Sequence, residues 1–244
     1  MKPILLITRP EPQAILFCQQ VNAVWDGEII LSPLIGITPI DAVVPKVAGY
    51  IFTSTNGVAQ AGRLGLDVAR PAYCVGQSTA DAAKEAGFTP NVGPGTAAGL
   101  IDTILQVTAK GPLAHIRGAH ARGDVAKTLS DKGIACTDVV AYDQKPLPLN
   151  QQAHRALSGT HPVVVTLFSP RTAALFAKEA PFTAPVHLVA ISPSAMPNLA
   201  CLSQHVAAAP SGPAMLRATL SCLTSISNQS GQCTANLEGP AQAG

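Results

Sequence analysis

The sequence predicts an α/β protein of two doubly wound parallel-sheet (flavodoxin-like) lobes joined by two extended crossing strands. Three observations predict it. Short β-branched runs alternate with alanine-rich amphipathic stretches from one end to the other, the pattern of βα units feeding parallel sheets. The stretch "IFTSTNGV" (51–58) is met again as "LFSPRTAA" (167–174), so the chain carries a long internal repeat. Two extended segments, 28–40 and 133–147, outrun an ordinary strand of about 5 to 6 residues.

The elements follow in order. "PILLITRP" opens with an apolar strand at 3–8, halted by Arg9 and Pro10, and a helix at 11–24 leads to the long strand at 28–37. A strand at 49–53 precedes a helix at 56–65, a strand at 72–76 a helix at 78–87, and a further helix spans 96–108. Strands at 113–117 and 134–142 enclose a helix at 121–132, and a helix at 151–158 precedes the strand at 162–168. Helices at 171–179, 194–200 and 213–224 alternate with strands at 186–191 and 205–208. Beyond 224 the tail is polar, glycine-rich and aperiodic, which predicts disorder over 225–244.

The repeat sets the domain plan. "YCVGQSTADAA" is answered by "LVAISPSAMPNLA", with Ser192 in place of Gly76, and "PGTAAGLIDTIL" by "PSGPAMLRATL". The first copy continues into "LAHIRGAHARGDVAKTLSDKGIACTDVVAY", whose counterpart is the amino-terminal "PILLITRPEPQAILFCQQVNAVWDGEIILSPLI". One lobe is therefore expected from 1–34 and 147–224, with 39–142 inserted as the other and 35–38 and 143–146 as hinge crossings. Doubly wound sheets bind ligands at the carboxyl ends of their strands, so a cleft facing the hinge is expected.

Composition removes several classes. No apolar run approaches the roughly 20 residues that span a bilayer, and the first one is too short for a secretory signal, so the expectation is no membrane and a cytoplasmic location. A net charge of +2 with dispersed basic residues argues against nucleic acid. The six cysteines form no CxxC and the six histidines no HxxxH, so neither disulfides nor a metal are expected. "RGD" at 122–124 falls inside a predicted helix, "GPGTAAG" (93–99) has the wrong spacing for a dinucleotide fingerprint, His120 reads as an exposed loop residue, and Trp25 reads as packing beneath a helix.

Five strand-end turns share small or hydroxyl residues: "TRPEP", "TSTNG", "VGQSTA", "FSPRT" and "SPSA". Helix capping explains any one of them. As a set, they offer backbone N–H groups and helix N-termini suited to a polycarboxylate or polyphosphate.

"TRPEPQA", "IFTSTNGV", "YCVGQSTADAAKEAGF", "IRGAHARGDVAKTLSDKGI", "VVAYDQ", "FSPRTAALF" and "APSGPAMLRATL", in that order over residues 4–224, resemble the uroporphyrinogen-III synthase family. The resemblance implies a cofactor-free lyase of tetrapyrrole (heme) synthesis, working as a monomer on hydroxymethylbilane, a linear chain of four pyrroles with acetate and propionate arms. The enzyme closes it with loss of water and inversion of the terminal ring, through an azafulvene and a spiro intermediate. Unaided closure gives the uninverted isomer, so holding geometry matters more than acid strength. Transient contact with the preceding pathway enzyme belongs to the same expectation.

The resemblance also implies roles. Tyr142 of "VVAYDQ" matches the tyrosine suggested as catalytic, a phenol able to donate to the leaving hydroxyl; packing at the lobe junction explains it equally well. Thr53, Ser54, Asn56, Gln77, Ser78, Thr79, Ser169 and Ser194 stand in the strand-end turns as substrate-binding residues, with capping as the plainer role. Arg9, Arg117, Arg122 and Arg171 are placed to meet carboxylates, though Arg171 reads equally as a solvated helix residue. The 192–197 turn departs from the family pattern: Ser192 replaces a glycine, no threonine follows, and Pro193 and Pro197 should distort the helix start. It supports a second reading, a catalytically impaired two-lobed binding or regulatory paralogue that keeps an anion-binding cleft. A nucleotide-dependent enzyme would need a phosphate loop, which the sequence lacks.

Overall fold

The computed structural model describes residues 2–11, 13–107, 111–120 and 123–235. In chain order the elements are β1 (Ile4–Ile7), α1 (Gln13–Asn22), β2 (Ile29–Leu31), β3 (Ile35–Pro39), β4 (Gly49–Phe52), α2 (Thr55–Val58), β5 (Ala72–Cys74), α3 (Gln77–Glu85), β6 (Pro90–Val92) and α4 (Ala97–Gln106). There follow β7 (Leu113–Gly118), α5 (Val125–Asp131), β8 (Cys136–Pro146), α6 (Gln151–Leu157), β9 (Val163–Leu167), α7 (Pro170–Ala177), β10 (Val186–Ala190), a 3-10 turn (Pro193–Ala195), β11 (Ser203–Val206) and α8 (Gly212–Ala235). They form two compact units, residues 1–36 with 146–244 and residues 37–145.

The first unit holds a parallel sheet in the order β2-β1-β9-β10-β11. Renumbered as the chain visits them, these strands run 2-1-3-4-5, the flavodoxin-like order. The second sheet runs β8-β7-β4-β5-β6 with β3 added beside β8. Put β7 and β8 in the places of β1 and β2, and the two orders coincide. The predicted α/β class with parallel sheets therefore holds.

Both sheets are covered on both faces, which is why their strands read as continuous apolar runs rather than alternating ones. Leu5, Ile7 and Val164 pack with Phe17 of α1 and Met215 and Leu223 of α8; Leu6, Val163 and Val165 point the other way, to Ala153 of α6 and Phe176 of α7. In the second unit Phe52 and Ile116 meet Val58 and Ala80, while Ile51 and Leu113 meet Ile104 of α4 and Leu129 of α5. Trp25 packs against the α1–α8 side.

Five expectations about elements are corrected. The strand at 28–37 breaks into β2 and β3 because Pro33 has no N–H to continue the ladder, while Ser32 N and Leu34 N on either side still donate to Ile7 O and Thr8 O. The helix at 56–65 stops after one turn at Val58, and looser turns reach Gly65 (φ 63°), since Gly57 and Gly62 weaken a helix there. β6 was not expected; it begins on Pro90, a residue tolerated where a strand starts at a sheet edge. The helix at 194–200 is only the 3-10 turn: Pro193 starts it, and Met196 before Pro197 is extended (φ −89°, ψ 115°). The tail is not irregular from 225, because α8 continues to Ala235 and buries Ile226 beside Cys222 and Leu223; residues 236–244 of that expectation lie outside the described residues.

Candidate functional site

A doubly wound sheet opens a crevice at the carboxyl ends of the two neighbouring strands whose following helices lie on opposite faces. In the first unit these are β1 and β9: α1 packs on one side and α7 on the other. In the second they are β4 and β7, followed by α2 and α5 on opposite sides. The residues just beyond these four strand ends are the candidates that topology selects.

In the second unit, the turn after β4 presents two hydroxyls in succession. Ser54 is the N-cap of α2; its Oγ accepts from Gly57 N at 3.2 Å and forms a 2.8 Å hydrogen bond with Tyr142 Oη on β8. Tyr142 is buried, and burial pushes its pKa above the usual 10, outweighing the Ser54 hydrogen bond, so the phenol stays protonated at neutral pH. Its ring lies over Gly118 of β7, where a Cβ would come within 2.6 Å of Tyr142 Cε2, so only glycine admits the ring there. Gly57 is equally constrained: a Cβ would stand 2.7 Å from Ile116 O, and its absence lets α2 lie close on β7.

Thr53, one residue earlier, faces the other side of the sheet, as strand alternation requires. Its Oγ1 lies 3.0 Å from His115 Nε2, and His115 Nδ1 lies 2.9 Å from Asp138 Oδ1. Arg117 Nε approaches Asp138 Oδ2 at 3.0 Å, an ion pair without the angle of a hydrogen bond, and its Nη1 donates to Gly118 O at 3.1 Å. His115 is 1% exposed, and that burial holds its pKa below 6.5 although Asp138 pulls the other way.

In the first unit, Ser169 repeats Ser54. It is the N-cap of α7, with φ −163° and ψ 154° against −158° and 155°, and its Oγ accepts from Thr172 N at 3.1 Å. Arg9, past the end of β1, stacks its guanidinium 4.1 Å from the centroid of the Phe168 ring. Burial pulls its pKa down to about 10, and among the described residues no carboxylate pairs with it. A desolvated cation without a counter-ion at a ligand crevice can receive an anionic group.

A family model described as uroporphyrinogen-III synthase HemD matches residues 25–217, most of the chain. The chain belongs to the uroporphyrinogen-III synthase family. No curated protein matches it. Its fold is similar to the crystal structure of uroporphyrinogen-III synthetase from Helicobacter pylori 26695, at 18% identity, a TM-score of 0.63, and coverage of 91% of this chain and 100% of that one. It is also similar to a mutant uroporphyrinogen III synthase from the extremely thermophilic bacterium Thermus thermophilus, at 14% identity and a TM-score of 0.50 over 91% and 99% of the two chains. The main functional expectation, a cofactor-independent lyase of tetrapyrrole synthesis, thus holds, and no finding favours the impaired paralogue.

Against the uroporphyrinogen-III synthase expectation, the remaining candidates divide by place. Asn56 sits half-buried in α2, and Arg171 half-buried in the first turn of α7. Gln77 and Ser78 are exposed at the start of α3, Gln77 donating to Asp81 Oδ1 at 2.7 Å, while Thr79 turns inward and is buried. These follow β5, one strand away from the crevice. Ser194 is exposed in the 3-10 turn after β10 and bonds Ser192 Oγ at 3.0 Å. Arg122 lies outside the described residues. His120 is exposed, 3.6 Å from Asp143 Oδ1. Sequence reasoning passed over His115 and Asp138. The available signal was a histidine two residues before Arg117 in an otherwise apolar strand, and an aspartate within another, since charged residues inside buried strands need partners. Two depressions, about 350 Å³ around Ile4, Glu28 and His161 and about 230 Å³ around Val47, Tyr50 and Arg70, open at the opposite, amino ends of the strands and carry none of these groups.

Proposed function

We propose that this chain closes hydroxymethylbilane into uroporphyrinogen III, with Tyr142, Ser54 and Arg9 as its principal working groups. The observation that carries the reading is the Ser54–Tyr142 hydroxyl pair at the β4–β7 crevice. A phenol kept protonated donates to Ser54 Oγ, which also takes the Gly57 N–H, and the serine proton is then free to point outward. A hydroxyl departing from the substrate needs such a donor: the C–O bond breaks, the oxygen takes the serine proton and leaves as water, the pyrrole nitrogen gives up its own proton to restore the hydroxyl, and the neutral azafulvene remains. No strong acid is required, because the electron-rich pyrrole expels the hydroxyl.

Arg9 supplies what the hydroxyls lack, a fixed positive charge for an acetate or propionate arm. Ser169, Ser194 and the turns at 54–56 and 77–79 offer hydroxyl and helix-start donors to the other arms, and Arg117, Arg122 and Arg171 add basic groups. A single chain carries both copies of the repeat, which supports a monomer. Five free thiols among the described residues, with the buried Cys74 and Cys222 pushed up to about 11, suit a reducing cytoplasm. Because the substrate closes unaided to the wrong isomer, transient contact with the enzyme that makes it is part of the proposal.

The test is to supply freshly made hydroxymethylbilane and resolve the product isomers. Type III product is expected; type I product alone, as from buffer, removes the proposal.

A further inference from the structure

Four side chains form a polar row across three strands of the second unit: Thr53 beyond β4, His115 and Arg117 on β7, and Asp138 on β8. His115 and Asp138 are direct partners in the β7–β8 register, and Arg117 lies two residues beyond His115 on the same face. The row caps an apolar cluster of Ile51, Leu113, Val125 and Leu129, so the imidazole has little water to turn to.

Hydrogen-bond inventory fixes the direction of the row. A carboxylate only accepts, so His115 Nδ1 carries the proton that Asp138 Oδ1 receives at 2.9 Å. Arg117 at Asp138 Oδ2 holds that carboxylate from its other side. The neutral ring then has a lone pair on Nε2, and the hydroxyl at 3.0 Å must be the donor, Thr53 Oγ1 to His115 Nε2. With its proton held at its back, Thr53 can only accept from whatever lies in front. Ser54 beside it has the opposite polarity if its oxygen takes the Gly57 N–H and the Tyr142 O–H.

We infer that His115, oriented by Asp138, is a positioning residue that fixes Thr53 as a hydrogen-bond acceptor for a pyrrole N–H of the substrate. The inference rests on the proposed reaction and refines it. An ionised acetate or propionate is acceptor-only and has nothing to offer such an oxygen, whereas each pyrrole carries one N–H donor. Thr53 therefore orients a ring rather than binding an arm, at the step where orientation decides between isomers. The groups bearing on the imidazole are Asp138 and Arg117, with the Cys136 thiol near the His115 backbone. Protonation of the ring would put a donor on Nε2 and reverse Thr53.

The experiment combines kinetics and nitrogen NMR on the full chain. Wild type, Thr53→Val, Thr53→Ser, His115→Ala and the Thr53→Val/His115→Ala pair are given fresh hydroxymethylbilane, with isomer ratio, kcat, KM and Tm recorded. Thr53→Val and His115→Ala should each lower the type III share and kcat/KM by about tenfold, the worth of one hydrogen bond. The double variant should lose no more than either single, and Thr53→Ser should keep the activity. In the wild type the His115 ring should be protonated at Nδ1, and its Nε2 resonance should move in Thr53→Val. Additive losses, a Tm change without a kinetic one, or a ring protonated at Nε2 would overturn the inference while wild-type type III product leaves the reaction standing. Wild-type type I product alone would overturn both.

Discussion

Tyr142 is a buried polar residue and Arg9 a half-buried one, and burial affects them in different ways. The phenol is neutral, hydrogen-bonded and easily kept; the guanidinium is charged and has no carboxylate beside it among the described residues. Tyr142→Phe should therefore keep the fold and KM but lower kcat about tenfold, the worth of the hydrogen bond that orients the Ser54 hydroxyl, measured as type III formation in single turnovers. Unchanged turnover would exclude the phenol. Arg9→Met, of similar length, should leave Tm unchanged or raise it, since the desolvated charge is removed, while KM rises by roughly tenfold or more. A lower Tm with unaltered KM would make Arg9 structural. Both residues were candidates in the sequence because each belongs to a recognisable motif, Arg9 just after β1 and Tyr142 within β8. His115 and Asp138 were not, because what joins them is the β7–β8 register, which pairs residues far apart in the chain and leaves no mark in either local sequence.

The elements that sequence placed well are those whose apolar faces agree with their propensities: the central strands β1, β4, β7, β9 and β10, and the helices α1, α3, α4, α6 and α7. It failed where one residue overrode the pattern, as with Pro33 in the second strand and Pro197 after the 3-10 turn, or where composition misled, as in α8. "SISNQSGQ" is polar, yet Ile226 lies on the helix face that already buries Cys222 and Leu223, and Ser227 Oγ returns its proton to Leu223 O at 2.8 Å. Polar residues on the outer face do not stop a helix whose inner face is anchored. Ile226→Ala should then cost about 2 kcal/mol, measured by urea unfolding, and truncation after 224 at least as much. An unaffected midpoint in both would return the segment to an uncommitted tail. Gly118→Ala is the matching test in β7: a methyl within 2.6 Å of the Tyr142 ring should cost about 1 to 3 kcal/mol and lower activity beyond what the stability loss accounts for.

At the scale of the molecule, the repeat gives two sheets of the same strand order from differently cut chains. In the first unit β1 and β2 come from the amino terminus and β9 to β11 from the carboxyl half; in the second, β4 to β6 precede β7 and β8. The first unit is therefore discontinuous and the second is one stretch, 37–145, with an apolar cluster on each face of its sheet. Its ends are tied within it: Ile40 N donates to Ala141 O at 2.9 Å, and Arg63 reaches both Ala141 O at 2.9 Å and Asp41 Oδ1 at 2.9 Å. Cutting at 37 and 145 removes only the ends of β3 and β8 and leaves every cluster residue in place. A fragment of 37–145 should accordingly fold alone, at a length that ordinarily buries enough surface to do so, with dispersed amide resonances and one cooperative thermal transition. The same fragment keeps Ser54, Tyr142, Thr53 and His115 but lacks Arg9 and Ser169, so it should leave hydroxymethylbilane to close unaided to type I. A fragment without a cooperative transition would mean that the inserted unit depends on the chain around it, and type III product from the fragment would mean that the first unit is dispensable for inversion.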